Sequence, residues 1–105
     1  MSNEMMLSYL AGLFDGEGCV SITTHKKKDK IYYTKTLIFT QSEESSCLLF
    51  QSELGVGKIY KRDNRVNKII YDWRANNRDA IIAAQLLFPY VRVKKEELLI
   101  KILIT

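Results

Sequence analysis

Proline and histidine each appear once in these 105 residues, and cysteine appears twice. With only Pro89 and no Ser/Gly-rich or repetitive stretch, there is neither a linker nor a repeat array, and we expect one domain over 1–105. Cys19 and Cys47 stand alone, without metal-ligand spacing and too few for a disulfide framework, so both read as buried thiols of a reducing compartment. The longest apolar runs fall far short of a bilayer's width, and no signal-peptide pattern opens the chain. These absences point to an intracellular protein with no membrane partner. His25 has no second histidine or acid spaced to join it, which argues against a role as base or metal ligand.

Acid is scarce in two places. The chain carries 16 Lys and Arg against 12 Asp and Glu, for a net charge of +4. Lys26, Lys27, Lys28, Lys30 and Lys35 crowd one short segment, opposed only by Asp29. Lys58, Lys61, Arg62, Arg65 and Lys68 crowd another, opposed only by Asp63. Outside these segments, six bases meet ten acids. Positive charge concentrated in this way is the footprint of a polyanion binder, although two solvated hairpin tips would show the same composition.

Periodicity supplies the elements. Residues 4–14 read as a helix with Asn3 as N-cap and the glycines after Phe14 as its stop. Residues 19–25 and 31–41 alternate as strands around the lysine-rich loop. Ser42 can cap a helix over 43–54, with Cys47, Phe50 and Leu54 inward and Gly55 at its end. Strands near 58–62 and 67–74 follow, joined through Asp63-Asn64-Arg65. Asn77 can cap a helix from Arg78 to Phe88, which Pro89 breaks, and a last helix runs from Lys94 to Ile104. The order α-β-β-α-β-β-α-α predicts an α+β fold, an antiparallel sheet covered by helices on one face. Ile69, Tyr71 and Trp73 are expected to face the helices. The uncovered face then carries Ser21, Thr23, His25, Tyr32, Thr34, Thr36, Ile38, Thr40, Tyr60, Arg62, Lys68, Ile70, Asp72 and Arg74, with Lys27 and Lys28 at one tip. Such a surface can follow phosphates with its ends and reach base edges with its middle.

The stretch YLAGLFDGEGCVSI is less ordinary. Ser8, Ala11, Gly12 and Asp15 fall at i, i+3, i+4 and i+7, so one helical face is small rather than polar. The segment Leu10-Ala11-Gly12-Leu13-Phe14-Asp15-Gly16-Glu17-Gly18 resembles the signature of the LAGLIDADG homing endonucleases, matching it at six of nine positions. "TQSEESSCLLFQSELGVGKIY" is similar to the family's strand-end glutamine, second helix and glycine turn, and "PYVRVKKEELLIKI" to its final helix junction. The resemblance implies that the motif helix packs against a second copy of itself, with Ser8, Ala11, Gly12 and Asp15 at a homodimer interface and small side chains allowing close approach. Asp15 would also tie down the helix end. Glu17 would ligate a divalent cation, Mg²⁺ or Mn²⁺, with the Gly16 carbonyl nearby, and Gln41 and Lys94 would orient or activate water.

The implied activity is metal-dependent hydrolysis of double-stranded DNA at a long, roughly palindromic site, by an intron-encoded or free-standing homing endonuclease. Such a protein would work in the cytoplasm of a bacterium or archaeon, or in an organelle matrix or stroma. The alternative on the same scaffold is a catalytically silent binder, an intron RNA maturase or a DNA-binding regulator. Glu17, Gln41 and Lys94 favour the enzyme, because an acid facing phosphates costs a pure binder electrostatic energy.

Overall fold

The alternation of residues 18–41 becomes a long antiparallel hairpin. A computed structural model describes residues 3–63, 66 and 68–104. In chain order it comprises α1 (Asn3–Glu17), β1 (Gly18–Lys27), β2 (Lys30–Gln41), α2 (Glu44–Leu54), β3 (Lys58–Asp63), β4 (Ile69–Asn76), α3 (Arg78–Leu87) and α4 (Lys95–Glu97), which continues as a π-helical segment, Leu98–Leu103. The strands form one antiparallel sheet in the order β1-β2-β4-β3. The buried strand residues Val20, Leu37, Phe39, Trp73 and Ala75 share one face with the core residues of the helices, so the α+β architecture with one covered face is as expected.

The core is organised around aromatic rings. Phe50 of α2 stacks on Phe39 at 4.3 Å between centroids and lies 5.1 Å from Trp73. The Trp73 indole N–H donates to the Val56 carbonyl at 3.0 Å, so the buried ring leaves no polar atom unpaired there. Gly57, at φ +98°, lets the chain pass over that ring, since a Cβ would sit 2.3 Å from Trp73 Nε1. Cys47 is buried, whereas Cys19 is exposed on the open face opposite Ile38, which corrects the expectation of two buried thiols.

Several local expectations change. Helix α1 does not stop at Phe14 but runs through Gly16 to Glu17. The residue that turns helix into strand is Gly18, where a Cβ would meet the Phe14 ring and carbonyl at 2.4 and 2.5 Å. Glu43, not Ser42, is the N-cap of α2 and makes no side-chain cap bond; instead it accepts the Ser46 hydroxyl at 2.7 Å. Gly55 ends α2 in the left-handed conformation, as its position predicts. Asn77 precedes α3 but does not cap it with its side chain. It exchanges hydrogen bonds with Lys35, giving its amide to the Lys35 carbonyl at 2.7 Å and accepting the Lys35 amide on Oδ1 at 3.2 Å. The β2–β4 pairing is thereby extended by one rung. The last helix is a single α-helical turn followed by π-helix rather than one α-helix over 94–104.

Ile69 is 44% exposed, not buried. β2 pairs with β4 only from Tyr71 onward, so Ile69 overhangs the layer that the helices cover. The expected turn residues Asn64 and Arg65 lie outside the described residues.

Candidate nucleic-acid interface

Strand register assembles the open face. Cross-strand rows set Thr36 between Ser21 and Asn76, Ile38 between Cys19 and Arg74, Asp72 between Thr40 and Tyr60, and Ile70 beside Arg62. Directly paired residues point to the same side. Beyond Thr36 the hairpin leaves β4 behind and continues as a two-stranded ribbon, with Thr23 beside Thr34, His25 beside Tyr32 and Lys27 beside Lys30. Lys28 takes the tip at φ 58°. The whole expected set except Lys68 therefore lies on one face or at its tip. Lys68 precedes β4 and is exposed outside the sheet.

Asp72 is the unexpected centre of this face. It is the single acid that the described strand residues present there, and it is fully buried. Its Oδ2 accepts from Arg62 Nε at 2.9 Å and Arg74 Nη2 at 3.0 Å, and its Oδ1 from Thr40 Oγ1 at 2.6 Å and Arg62 Nη2 at 3.4 Å. Burial by itself would raise its carboxyl group, but the hydrogen bonds from Arg62, Thr40 and Arg74 outweigh burial and hold it below the ordinary carboxylate range. The Arg74 guanidinium also lies 5.4 Å above the Tyr60 ring. Alternation placed Asp72 on the open face. The missed signal is its position at i−2 from Arg74, an acid alone among bases.

A second group gathers at the end of α1. Both carboxylate oxygens of Asp15 are used within the subunit, accepting the Arg92 amide at 2.7 Å and the Lys94 amide at 2.9 Å. Lys94 is thereby fixed beside the helix end that carries Gly16 and Glu17. Gly18 pairs with Phe39, so Gln41 runs two residues past the start of β1, at the end of β2 opposite Tyr71. Glu17 is the final residue of the helix, which continues past the expected end at Phe14, and it is exposed. Among the described residues nothing pairs with its carboxylate, and no group of three or more His, Cys, Asp or Glu side chains forms a closed metal site.

The outward stripe of α1 differs from the expected one. Ala11 is fully buried in the subunit's own core with Leu10 and Phe14, so it is not available to a partner. Asp15, occupied by Arg92 and Lys94, is an internal anchor. The exposed stripe consists of Met5, Ser8, Tyr9, Gly12 and Gly16, spaced three and four residues apart along the helix. A Cβ at Gly12 would meet nothing within 4 Å, so packing inside the subunit does not require glycine there.

Together these features define a class: a one-sided α+β scaffold with a basic, uncovered antiparallel sheet and an unpaired acid at the end of its first helix. The chain belongs to the LAGLIDADG endonuclease family, whose model matches residues 10–102. Its fold is shared by the archaeal intron-encoded homing endonuclease I-Vdi141I complexed with DNA (TM-score 0.79, 19% identity, 93% of this chain and 65% of that one). It is also shared by the homing endonuclease I-CvuI, solved with a DNA target in the presence of Mg (TM-score 0.76, 20% identity, 91% and 62%). Homing endonuclease I-TnaI is a third (TM-score 0.68, 15% identity, 92% and 65%). The chain thus spans less than two thirds of the length of these proteins. No curated protein matches its sequence.

Proposed function

We propose that this protein is a site-specific DNA endonuclease that hydrolyses phosphodiesters as a homodimer with a divalent cation. The observation that carries the reading is Glu17, an exposed, unpaired carboxylate at the end of a helix in a molecule whose sheet face is basic apart from the arginine-paired Asp72. Close to DNA such an acid is repelled by phosphate, and that repulsion is offset when a cation sits between them. The donor set fits a hard ion: the Glu17 carboxylate, the Gly16 carbonyl in the last turn of α1, where helix carbonyls lack intrahelical partners, and phosphate oxygens from the substrate. When bound, a cation such as Mg²⁺ or Mn²⁺ supplies Lewis-acid stabilisation of the charge that develops on the phosphate. Gln41 would hold a water through its amide. Lys94, fixed by Asp15, would place an ammonium beside the leaving oxygen or the attacking water.

One acid per chain is too few for two strand cuts, so two copies are needed. The exposed stripe of Met5, Ser8, Tyr9, Gly12 and Gly16 supports pairing through α1, which would bring two Glu17 side chains to a common axis. That symmetry implies a roughly palindromic double-stranded site, and the activity belongs inside a cell, where DNA is found.

The test is cleavage of a duplex library in Mg²⁺, with the cut ends sequenced, by the purified chain and by Glu17→Gln. The wild type should yield defined ends at one related set of sites. The variant should bind the same sites and leave them intact. Equal cleavage by the variant would remove Glu17 from the reaction.

A further inference from the structure

An acid at the centre of a surface that meets phosphates subtracts from binding, and Asp72 is such an acid. Its surroundings show what it contributes instead. Arg62 approaches it edge-on through Nε and Nη2, which leaves Nη1 uncommitted to Asp72. Arg74 uses Nη2 on the same oxygen and rests over Tyr60, and its Nε is buried without a hydrogen-bond partner in the described structure. The carboxylate is fully covered while the two arginine side chains remain 48% and 40% exposed. Two guanidinium groups on the open face are thus held by one buried anchor, each side chain still partly exposed. Thr40 fills the remaining lone-pair position on Oδ1.

A contact to phosphate needs none of this, because a flexible lysine serves as well and brings no acid with it. Reading a base edge does need it. The bidentate fit of a guanidinium to guanine O6 and N7 is directional, and a side chain already fixed in place loses less entropy on binding. We infer that Asp72 is a positioning residue for sequence readout, aiming Arg62 and Arg74 as a fixed pair of donors at guanine edges in the major groove. The inference rests on the DNA-binding reading above and adds the base that is read and the residue that enforces it.

Binding selection from randomised duplexes, without divalent cation, tests it with the wild type, Asp72→Asn and Arg62→Lys. The wild type should enrich guanine at defined positions in each half-site. Asp72→Asn keeps the shape and removes an acid, so its salt dependence should stay the same or steepen while discrimination at those guanines falls about tenfold. Arg62→Lys keeps the charge and loses the fork, so it should flatten preference at one position without changing the salt slope. If Asp72→Asn does not fold, Arg62→Lys decides alone. Unchanged guanine preference in a folded variant, or a wild-type site without guanine, overturns the inference while DNA binding stands. A wild type that retains no duplex overturns the DNA-binding reading and the inference together.

Discussion

Asp15 and Lys94, 79 positions apart in the chain, are joined by a 2.9 Å hydrogen bond from the Lys94 amide to Asp15 Oδ1. With the 2.7 Å bond from the Arg92 amide to Oδ2, this one carboxylate fastens the segment after α3 to the end of α1. Asp15→Ala removes two charge-assisted bonds and should cost roughly 2–4 kcal/mol. Asp15→Asn keeps one acceptor and should cost less. Urea unfolding of both variants measures the difference. Cleavage should fall more steeply than stability, because Lys94 loses its mooring beside Glu17. Equal stability of the alanine variant and wild type would mean the two bonds contribute nothing net.

Asp72 sets an acid limit on stability. Its folded-state pKa lies below the unfolded value of about 3.9, so between the two the unfolded chain binds more protons. The stabilisation is therefore fully present above about pH 4 and lost as pH falls through the lowered value. Denaturation midpoints from pH 6 downward should show a decline that is shallower in Asp72→Asn. Parallel curves would show that Asp72 has the same affinity for protons folded and unfolded.

Two glycines flank one loop and should respond differently to alanine. Gly55 has φ +73° with open space around it, so Gly55→Ala meets only the left-handed backbone penalty of about 1–2 kcal/mol. At Gly57 a Cβ would collide with the indole of Trp73, adding overpacking of about 1–3 kcal/mol to a similar backbone penalty. Thermal unfolding should rank Gly57→Ala clearly below Gly55→Ala. The reverse order would show that the Trp73 ring moves aside at little cost.

Gly12→Leu probes the proposed pairing of α1 helices. Within the subunit a Cβ at this exposed position meets nothing within 4 Å, so the fold should persist, with unchanged circular dichroism. Between subunits it would push the backbones apart, shifting sedimentation toward monomer and abolishing double-strand cleavage. A wild type that is monomeric at micromolar concentration, with and without DNA, would rule out this interface.

Much of this molecule was legible in its residues because the signals were local. Alternation alone divided β1 and β2 into a core face led by Val20, Leu37 and Phe39 and an open face led by Ser21, Thr36 and Thr40. The motif around Glu17 was readable for the same reason, since its meaning lies in nine consecutive positions. Where local rules failed, a distant partner had outbid them. Asn77 looked like a cap but exchanges hydrogen bonds with Lys35, and Phe14 makes Gly18, not Gly16, the indispensable glycine.

The amino-acid sequence by itself determined the element order, the sidedness of the sheet and the location of its positive charge, because periodicity and composition act over a few residues at a time. Only the tertiary structure decided that Ala11 belongs to the subunit's own core, that Asp15 is spent on Arg92 and Lys94, and that Arg62 and Arg74 share one buried acid. Helix rotation and strand register decide those pairings, and both depend on how the layers close over Phe39, Phe50 and Trp73, a packing energy summed over residues far apart in the chain.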